Sequence, residues 1–549
     1  MQSRRSCRRG SEQSLSRQDY QHKECAPCYN ILYVNLQNDY LELSMEYLIE
    51  YDKANPKSIE AYAKRLIGHT FNDVKEWNLS SLVREDGLYE NKSRKGGLGN
   101  FIEEQFFGYR ANSESQADFP EAGVELKVTP YEIKKNGELS AGERLVLTMI
   151  SYENEIEPDF YKSHVWKKCQ LMLLIYYLRD KALSSNMDYH IDFVQLFQIP
   201  EKDMNIILND YKIITDKIKA GNAHELSESD TMYLGACTKG STAAKSMVPQ
   251  YYNKEVKAKK RAFCLKNSYM TYVLNNYIVP GKETYVESIA STDELKDQSF
   301  AELLQKRLSR YVGLYEDDIA REVSIEMNKG NKSYEATLVY SMLGVKNTHV
   351  EEFDKAGILV KILKYRKQKS KNQQFRLDDI KFIDFDNEKM DNEILDEEGN
   401  PIGWEYSALY SMLSNRKYLF AVFWEDENGS IFKGSQLWGM PDDDIEAVRE
   451  VWSRTKTILR NGIEFTIKCQ NGKPIVENNL PGIRDNGIFH IRPHAAKAYY
   501  KFPDGRSIGS GSLTDTDLLP DGTRMTKQAY WLNRAYIDEQ IVSELRMKY

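Results

Sequence analysis

The chain is poor in cysteine, in long apolar runs and in net positive charge, and each shortage narrows its class. Seven cysteines are scattered through 549 residues, an odd number with no disulfide framework, so a reducing cytoplasmic setting is expected rather than an exported, cross-linked fold. Cys25-Ala26-Pro27-Cys28 has no second close pair to complete four ligands, which argues against a structural zinc site. The longest apolar run, Cys169 to Leu178, is interrupted by Gln170 and too short to span a bilayer, so no membrane segment is expected. Residues 1–28 are rich in Arg, Ser and Gln and lack the apolar core of a secretory signal. We read 1–44 as disordered or as an extension ahead of a start at Met45. The net charge of −7 excludes a uniformly basic polyanion binder, but not an enzyme whose basic residues cluster where phosphates lie.

What is present fits a globular enzyme. Hydrophobic residues make up 41% and charged ones 29%, and the length allows two to four domains, each with its own core. The chemistry is concentrated between Gly96 and Pro130. Asp118 precedes Glu125 by seven positions, and Lys127 follows two further on. If Ala122 to Thr129 is a strand, Glu125 and Lys127 share a face. Asp118 then arrives from the preceding turn, so two carboxylates meet beside one ammonium, the parts that hydrolysis of a phosphodiester requires.

Spacing alone does not distinguish this set. Glu132/Lys134, Glu255/Lys257 and Glu294/Lys296 repeat the Glu-any-Lys pattern. The Glu125 copy differs in its context: Val124, Leu126 and Val128 alternate with the polar pair, as a half-buried strand requires. The other copies sit among turn and helix-start residues.

These residues resemble a known family. Lys95-Gly96, Gly99, Glu103 and the run Asp118-Phe119-Pro120-Glu121-Ala122-Gly123-Val124-Glu125-Leu126-Lys127, with Ser163-His164-Val165 and Lys167-Lys168 beyond, are similar to the MutH-type GATC endonucleases, which include a mismatch-repair nickase and two-copy type II restriction enzymes. The resemblance implies that Asp118 and Glu125 bind Mg²⁺, Lys127 positions or activates the attacking water, Glu103 assists from the preceding helix and Lys168 completes the site. The Gly99–Gly108 interval is one residue longer than the family pattern, so counting back from Gly108 would select Glu104. Register with Lys95 and Gly99 favours Glu103.

Around this stretch the sequence predicts two helices between Tyr47 and Trp77 and a helix over Gly99–Phe107. An Asn136-Gly137 hairpin leads to a strand at Arg144–Ile150. Buried strands at Cys169–Tyr177 and Phe193–Ile199 and a helix at Glu201–Ile218 follow. His164 reads as structural. The clearest basic cluster is Lys254–Lys266, in which Phe263 and Leu265 alternate with Arg261, Cys264 and Lys266. An apolar anchor with basic side chains facing outward suits guanine edges and phosphates. Arg261-Ala262-Phe263-Cys264-Leu265-Lys266 also resembles the family's GATC-reading string, and Lys260, Arg261 and Lys266 are the expected DNA contacts.

The plan then recurs in altered form. Lys332-Ser333 through Ala336, Tyr340 and Gly344 echoes Lys95-Gly96 through Gly99, Glu103 and Gly108. Glu352 to Lys361 aligns without a gap on Asp118 to Lys127. Glu352 replaces Asp118, Leu359 replaces Glu125 and Tyr340 replaces Glu103, while Lys361 keeps the lysine. Leucine supplies no oxygen ligand, so this copy is expected to be catalytically silent. Its end retains Ile491-Arg492-Pro493, Ala495-Ala496 and Ala529-Tyr530-Trp531-Leu532-Asn533, the last parallel to Ala262–Lys266.

The reading is an α/β (α+β) protein of two tandem restriction-endonuclease-like domains, each a mixed sheet flanked by helices, at 45–285 and 286–549. The first is catalytic; the second is degenerate and suits a DNA-binding effector. The expected activity is Mg²⁺-dependent double-strand cleavage at GATC leaving 5′-phosphates, with double-stranded DNA as partner and a cognate methyltransferase as genetic companion. A mismatch-repair nickase and a non-cleaving GATC-binding regulator are the alternatives.

Overall fold

A computed structural model describes residues 51–549 except 78–96, 110–115, 135–136, 181, 240–245, 281–286, 326–328, 332, 368–374, 378–379, 385–402, 405–406, 496 and 547–549. The 1–44 extension, the Cys25/Cys28 pair, Lys95, Gly96, Asn136, Lys332, Ala496 and the 285/286 boundary lie outside the described residues.

Two short helices open the fold, as their caps dictate. In α1 (Pro56–Ala63) Asn55 accepts from the Lys57 amide and proline fills the first turn, whereas α2 (Phe71–Glu76) starts on a Thr70/Asp73 capping box. Ile59, Tyr62, Phe71 and Val74 pack with Phe101 and Phe106 against one face of the first sheet. The next helix begins as α3 (Gly97–Phe101) and continues as a π turn over Ile102–Phe106, where the Phe107 amide donates to the Ile102 carbonyl five residues back at 3.0 Å. A π turn absorbs one inserted residue. It accounts for the long Gly99–Gly108 interval and leaves both flanks in register.

The first sheet is built on β1 (Glu125–Ile133). Strand β2 (Leu139–Ala141) pairs antiparallel with it, β4 (Met172–Leu178) parallel, and β5 (Ile191–Phe197) antiparallel with β4, in the order β2-β1-β4-β5. Leu126 and Leu173 join the helical core on one face, and Met172 and Leu174 enter a second core on the other. Arg144–Ile150 is not the return strand of the β1 hairpin. That strand is β2, and β3 (Leu145–Met149) leaves for another sheet. Turn residues set where the chain reverses, not how long it stays paired, and Leu145 and Leu147 are buried equally well elsewhere. Cys169 likewise ends a helix, α4 (His164–Cys169), begun by the Ser163 cap on the Trp166 amide. The buried strand starts three residues later.

After the amphipathic α5 (Glu201–Lys219) come β6 (Leu234–Thr238), β7 (Arg261–Leu265) and α6 (Asn267–Val273), with β7 central in a β3-β7-β6 sheet. The second half repeats this. Helix α7 (Tyr334–Met342) and α8 (Glu351–Ala356) precede β8 (Ile358–Lys367), β9 (Phe375–Leu377) and β10 (Ile380–Asp384). Next come α9 (Ala408–Asn415), β11 (Lys417–Glu425), β12 (Ser430–Trp438), α10 (Asp442–Asn461), β13 (Phe489–Pro493), β14 (Gln528–Leu532) and α11 (Arg534–Gln540). The order β9-β8-β11-β12 reproduces β2-β1-β4-β5, including its single parallel pair, and β10-β14-β13 reproduces β3-β7-β6. Two tandem copies of one mixed α/β plan therefore form the molecule.

The copies share their interior. One apolar cluster runs from Tyr131 of the first to Phe432 of the second. Lys355 of α8, 1% exposed, is buried between Asp203 of α5 and Glu351. Among the described residues no helix is long and apolar enough to cross a membrane.

Candidate active site

The sequence between Asp118 and Leu126 folds back on itself. Phe119 and Val124 exchange backbone hydrogen bonds of 2.9 and 3.2 Å, and Gly123 turns the chain at φ +64°, a conformation open to glycine. This returns Asp118 over the start of β1, where its Oδ2 accepts from the Leu126 amide at 2.8 Å. Its Oδ1 has no protein donor among the described residues. Parallel pairing of Glu125 with Met172 carries the end of α4 to the same place. There Glu125, only 3% exposed, holds two ammonium groups: Lys127 Nζ lies 2.8 Å from Oε1 and Lys168 Nζ 3.0 Å from Oε2. Four of the expected residues thus assemble from three separate segments.

Glu103 joins them from the π turn. Burial pushes its carboxyl up to about 7, and the charge of Asp118 adds to the shift while Lys127 opposes it. Burial, followed by the charge of Glu125, pushes Asp118 up to about 6. Glu104 is buried at 1% exposure. Glu103 is the side chain on which the charges of Asp118, Lys127 and Glu125 act. His164 is the exposed first residue of α4.

Among the described residues, three carboxylates face two ammoniums here. Burial first, and neighbouring carboxylates after it, raise Glu103 and Asp118, and hard oxygen donors with one Asp118 oxygen unsatisfied among the described residues fit a divalent cation such as Mg²⁺. Among the described residues no three His, Cys, Asp or Glu side chains converge closely enough to hold an ion unaided. Mg²⁺ fits such a sparse set because it takes one or two carboxylates and leaves positions for water and phosphate.

The second copy repeats the turn and strand but not the carboxylate set. Gly357 turns at φ +66° where Gly123 does, but Leu359 stands at the Glu125 position on β8. Glu352, at the Asp118 position, accepts from the Ile289 and Ala290 amides at 3.0 and 2.9 Å and is spent on local structure.

The basic cluster is placed differently from expectation. Lys260 is exposed, but Arg261 and Lys266 are each 1% exposed. Both faces of β7 are buried, so the outward basic face expected from the alternation is absent. Arg261 binds Asp442 at the start of α10 and the Ala236 carbonyl, and Lys266 Nζ donates to the Thr231 carbonyl. Arg261 shares the face of Phe263 and Leu265 and meets Asp442 of the second copy there, whereas Lys266 is held by the Thr231 carbonyl of its own copy.

A carboxylate–lysine cluster at the edge of a mixed sheet of this order defines the class as a restriction-endonuclease-like nuclease. Comparison with known proteins agrees. The family model described as "DNA mismatch repair enzyme MutH" matches residues 107–210. "Type II restriction enzyme Sau3AI" of Staphylococcus aureus is 32% identical over 508 residues, covering 88% of this chain and 99% of that one. The chain belongs to the MutH-type GATC endonuclease family and is a site-specific deoxyribonuclease.

Proposed function

We propose that the protein is a type II restriction endonuclease that cuts both strands of DNA at GATC, with Mg²⁺, leaving 5′-phosphates. The observation that carries this reading is Glu125 gripped by Lys127 and Lys168 beside Asp118. Asp118 and Glu125 would hold the ion. When bound, it would place positive charge on the scissile phosphate and lower the pKa of attacking water. Lys127 orients that water through its Nζ and stabilises the developing anion. Lys168 keeps Glu125 in place, and Glu103, at about 7, is poised to take a proton near neutral pH. In-line attack then expels the 3′ oxygen.

The second copy suits a non-cleaving GATC-binding effector, because it repeats both sheets without the carboxylate of Glu125. Lys260 is available for phosphate contact. For Arg261 or Lys266 to read bases, their contacts with Asp442 and Thr231 must first break. A cognate methyltransferase would protect host sites, in the cytoplasm.

The matching family description names a mismatch-repair enzyme, which favours a nickase as second reading. Coverage of 99% of a relative named as a type II restriction enzyme weighs against it. Incubating purified protein with GATC-containing plasmid and Mg²⁺, then sequencing the ends, separates the readings. Linear product with both strands cut at GATC supports the proposal; persistent nicked circles support the nickase, and binding without cutting supports a regulator.

A further inference from the structure

We propose that Tyr109 is an additional catalytic residue of this site, donating its hydroxyl proton in a hydrogen bond to a non-bridging oxygen of the scissile phosphate. The inference rests on the nuclease reading above.

The Tyr109 hydroxyl oxygen is buried and has no hydrogen-bond partner among the described residues, a state that folded proteins seldom leave unexplained. That alone is no signal, since among the described residues the hydroxyls of Tyr152 and Tyr176 are also buried and unpartnered. Position separates Tyr109 from them. Its amide donates to the Glu103 carbonyl at 3.1 Å. Its ring meets Phe119, the neighbour of Asp118, edge to face at 5.5 Å. The phenol is thus clamped between the segments that carry Glu103 and Asp118.

The charges around it decide what it can bind. Burial raises its ionisation far above the usual phenol range, and Asp118, Glu103 and Glu125 push it further. The group therefore stays a neutral donor at working pH. An O–H donor pairs most strongly with an anionic oxygen, yet none of the surrounding carboxylates accepts from it. The phosphate of the DNA is the anionic acceptor that the reaction brings to this place.

The degenerate copy supplies an internal control. Gly108 and Gly344 both turn at positive φ, +73° and +88°. The Val345 amide closes on the Tyr340 carbonyl at 3.1 Å, as the Tyr109 amide closes on Glu103 at 3.1 Å across one extra residue, the one taken up by the π turn. Val345 therefore occupies the Tyr109 position. The copy that replaced Glu103 by tyrosine and Glu125 by leucine has also replaced this phenol by a hydrocarbon.

The test is Tyr109→Phe in the full chain, which removes one oxygen atom. Single-turnover cleavage of a GATC duplex with Mg²⁺ should fall about ten- to a hundred-fold. Affinity for the same duplex without Mg²⁺ and the thermal midpoint should be unchanged. Cleavage at the wild-type rate overturns the proposal, as does a slower rate accompanied by a lower melting point, which would make the hydroxyl structural. If wild-type protein leaves the duplex intact, the nuclease reading itself fails; if wild type cuts and the phenylalanine variant cuts equally well, this inference alone fails.

Discussion

Lys168 reaches Glu125 from another segment and takes the carboxylate oxygen that Lys127 leaves free, at 3.0 Å against 2.8 Å. The carboxylate is thereby fixed at both ends before any ligand arrives. Preorganisation of this kind spares the reaction the cost of ordering its own donors.

Removing the fixed group tests the arrangement directly. Glu125→Ala should lower cleavage of GATC plasmid by about a thousand-fold or more, while duplex binding in a gel-shift assay persists. Two ammoniums are left facing each other, so urea denaturation should show a loss of about 1–3 kcal/mol. Retained cutting would reject the assignment.

Raised carboxyls make a signed prediction about pH. Asp118, at about 6, and Glu103, at about 7, both sit above their values in the unfolded chain. Folding therefore favours their protonated forms, and that contribution to stability is full below about pH 4 and lost as pH rises through 6 and 7. In metal-free buffer, the thermal midpoint of wild type should fall more between pH 5 and pH 8 than that of an Asp118→Asn/Glu103→Gln variant. Equal falls would show that the two groups are not coupled to folding.

Arg261 is bound to Asp442 across the two copies with 1% of its surface exposed. Breaking a buried pair costs about 3–5 kcal/mol, and Asp442 at 21% side-chain exposure places Arg261→Ala toward the lower end. Denaturation and duplex binding measured together give the expected outcome, a loss of stability in the unliganded protein. Unchanged stability with lost binding would instead assign the guanidinium wholly to DNA.

Two DNA sites per chain follow if the second copy binds GATC. Full-length Glu125→Ala protein titrated with a labelled GATC duplex should saturate at two duplexes per chain. Binding should weaken steeply with added salt through counterion release. Saturation at one duplex would remove the effector role.

Much of the candidate site was legible in the sequence, because alternation and turn chemistry act over a few residues. Val124, Leu126 and Val128 set the face of β1, and Gly123 set the turn before it, so Asp118, Glu125 and Lys127 could be expected together. The repeat also exposed Leu359 in place of Glu125. Lys168 and Glu103 were reached through resemblance to the family, not through spacing.

Other features depended on what comes near from far along the chain. An extra residue before Gly108 showed in the sequence, but its absorption as a π turn is a choice among helical hydrogen bonds made by packing on both sides. Strand β3 had the right alternation, yet alternation does not name the partner strand. The fate of Arg261 was least readable: its charge suggests exposure, but its partner Asp442 comes from α10, 181 positions away. Local patterning determines which side chains share a face; only the packing of one copy on the other decides which face meets water.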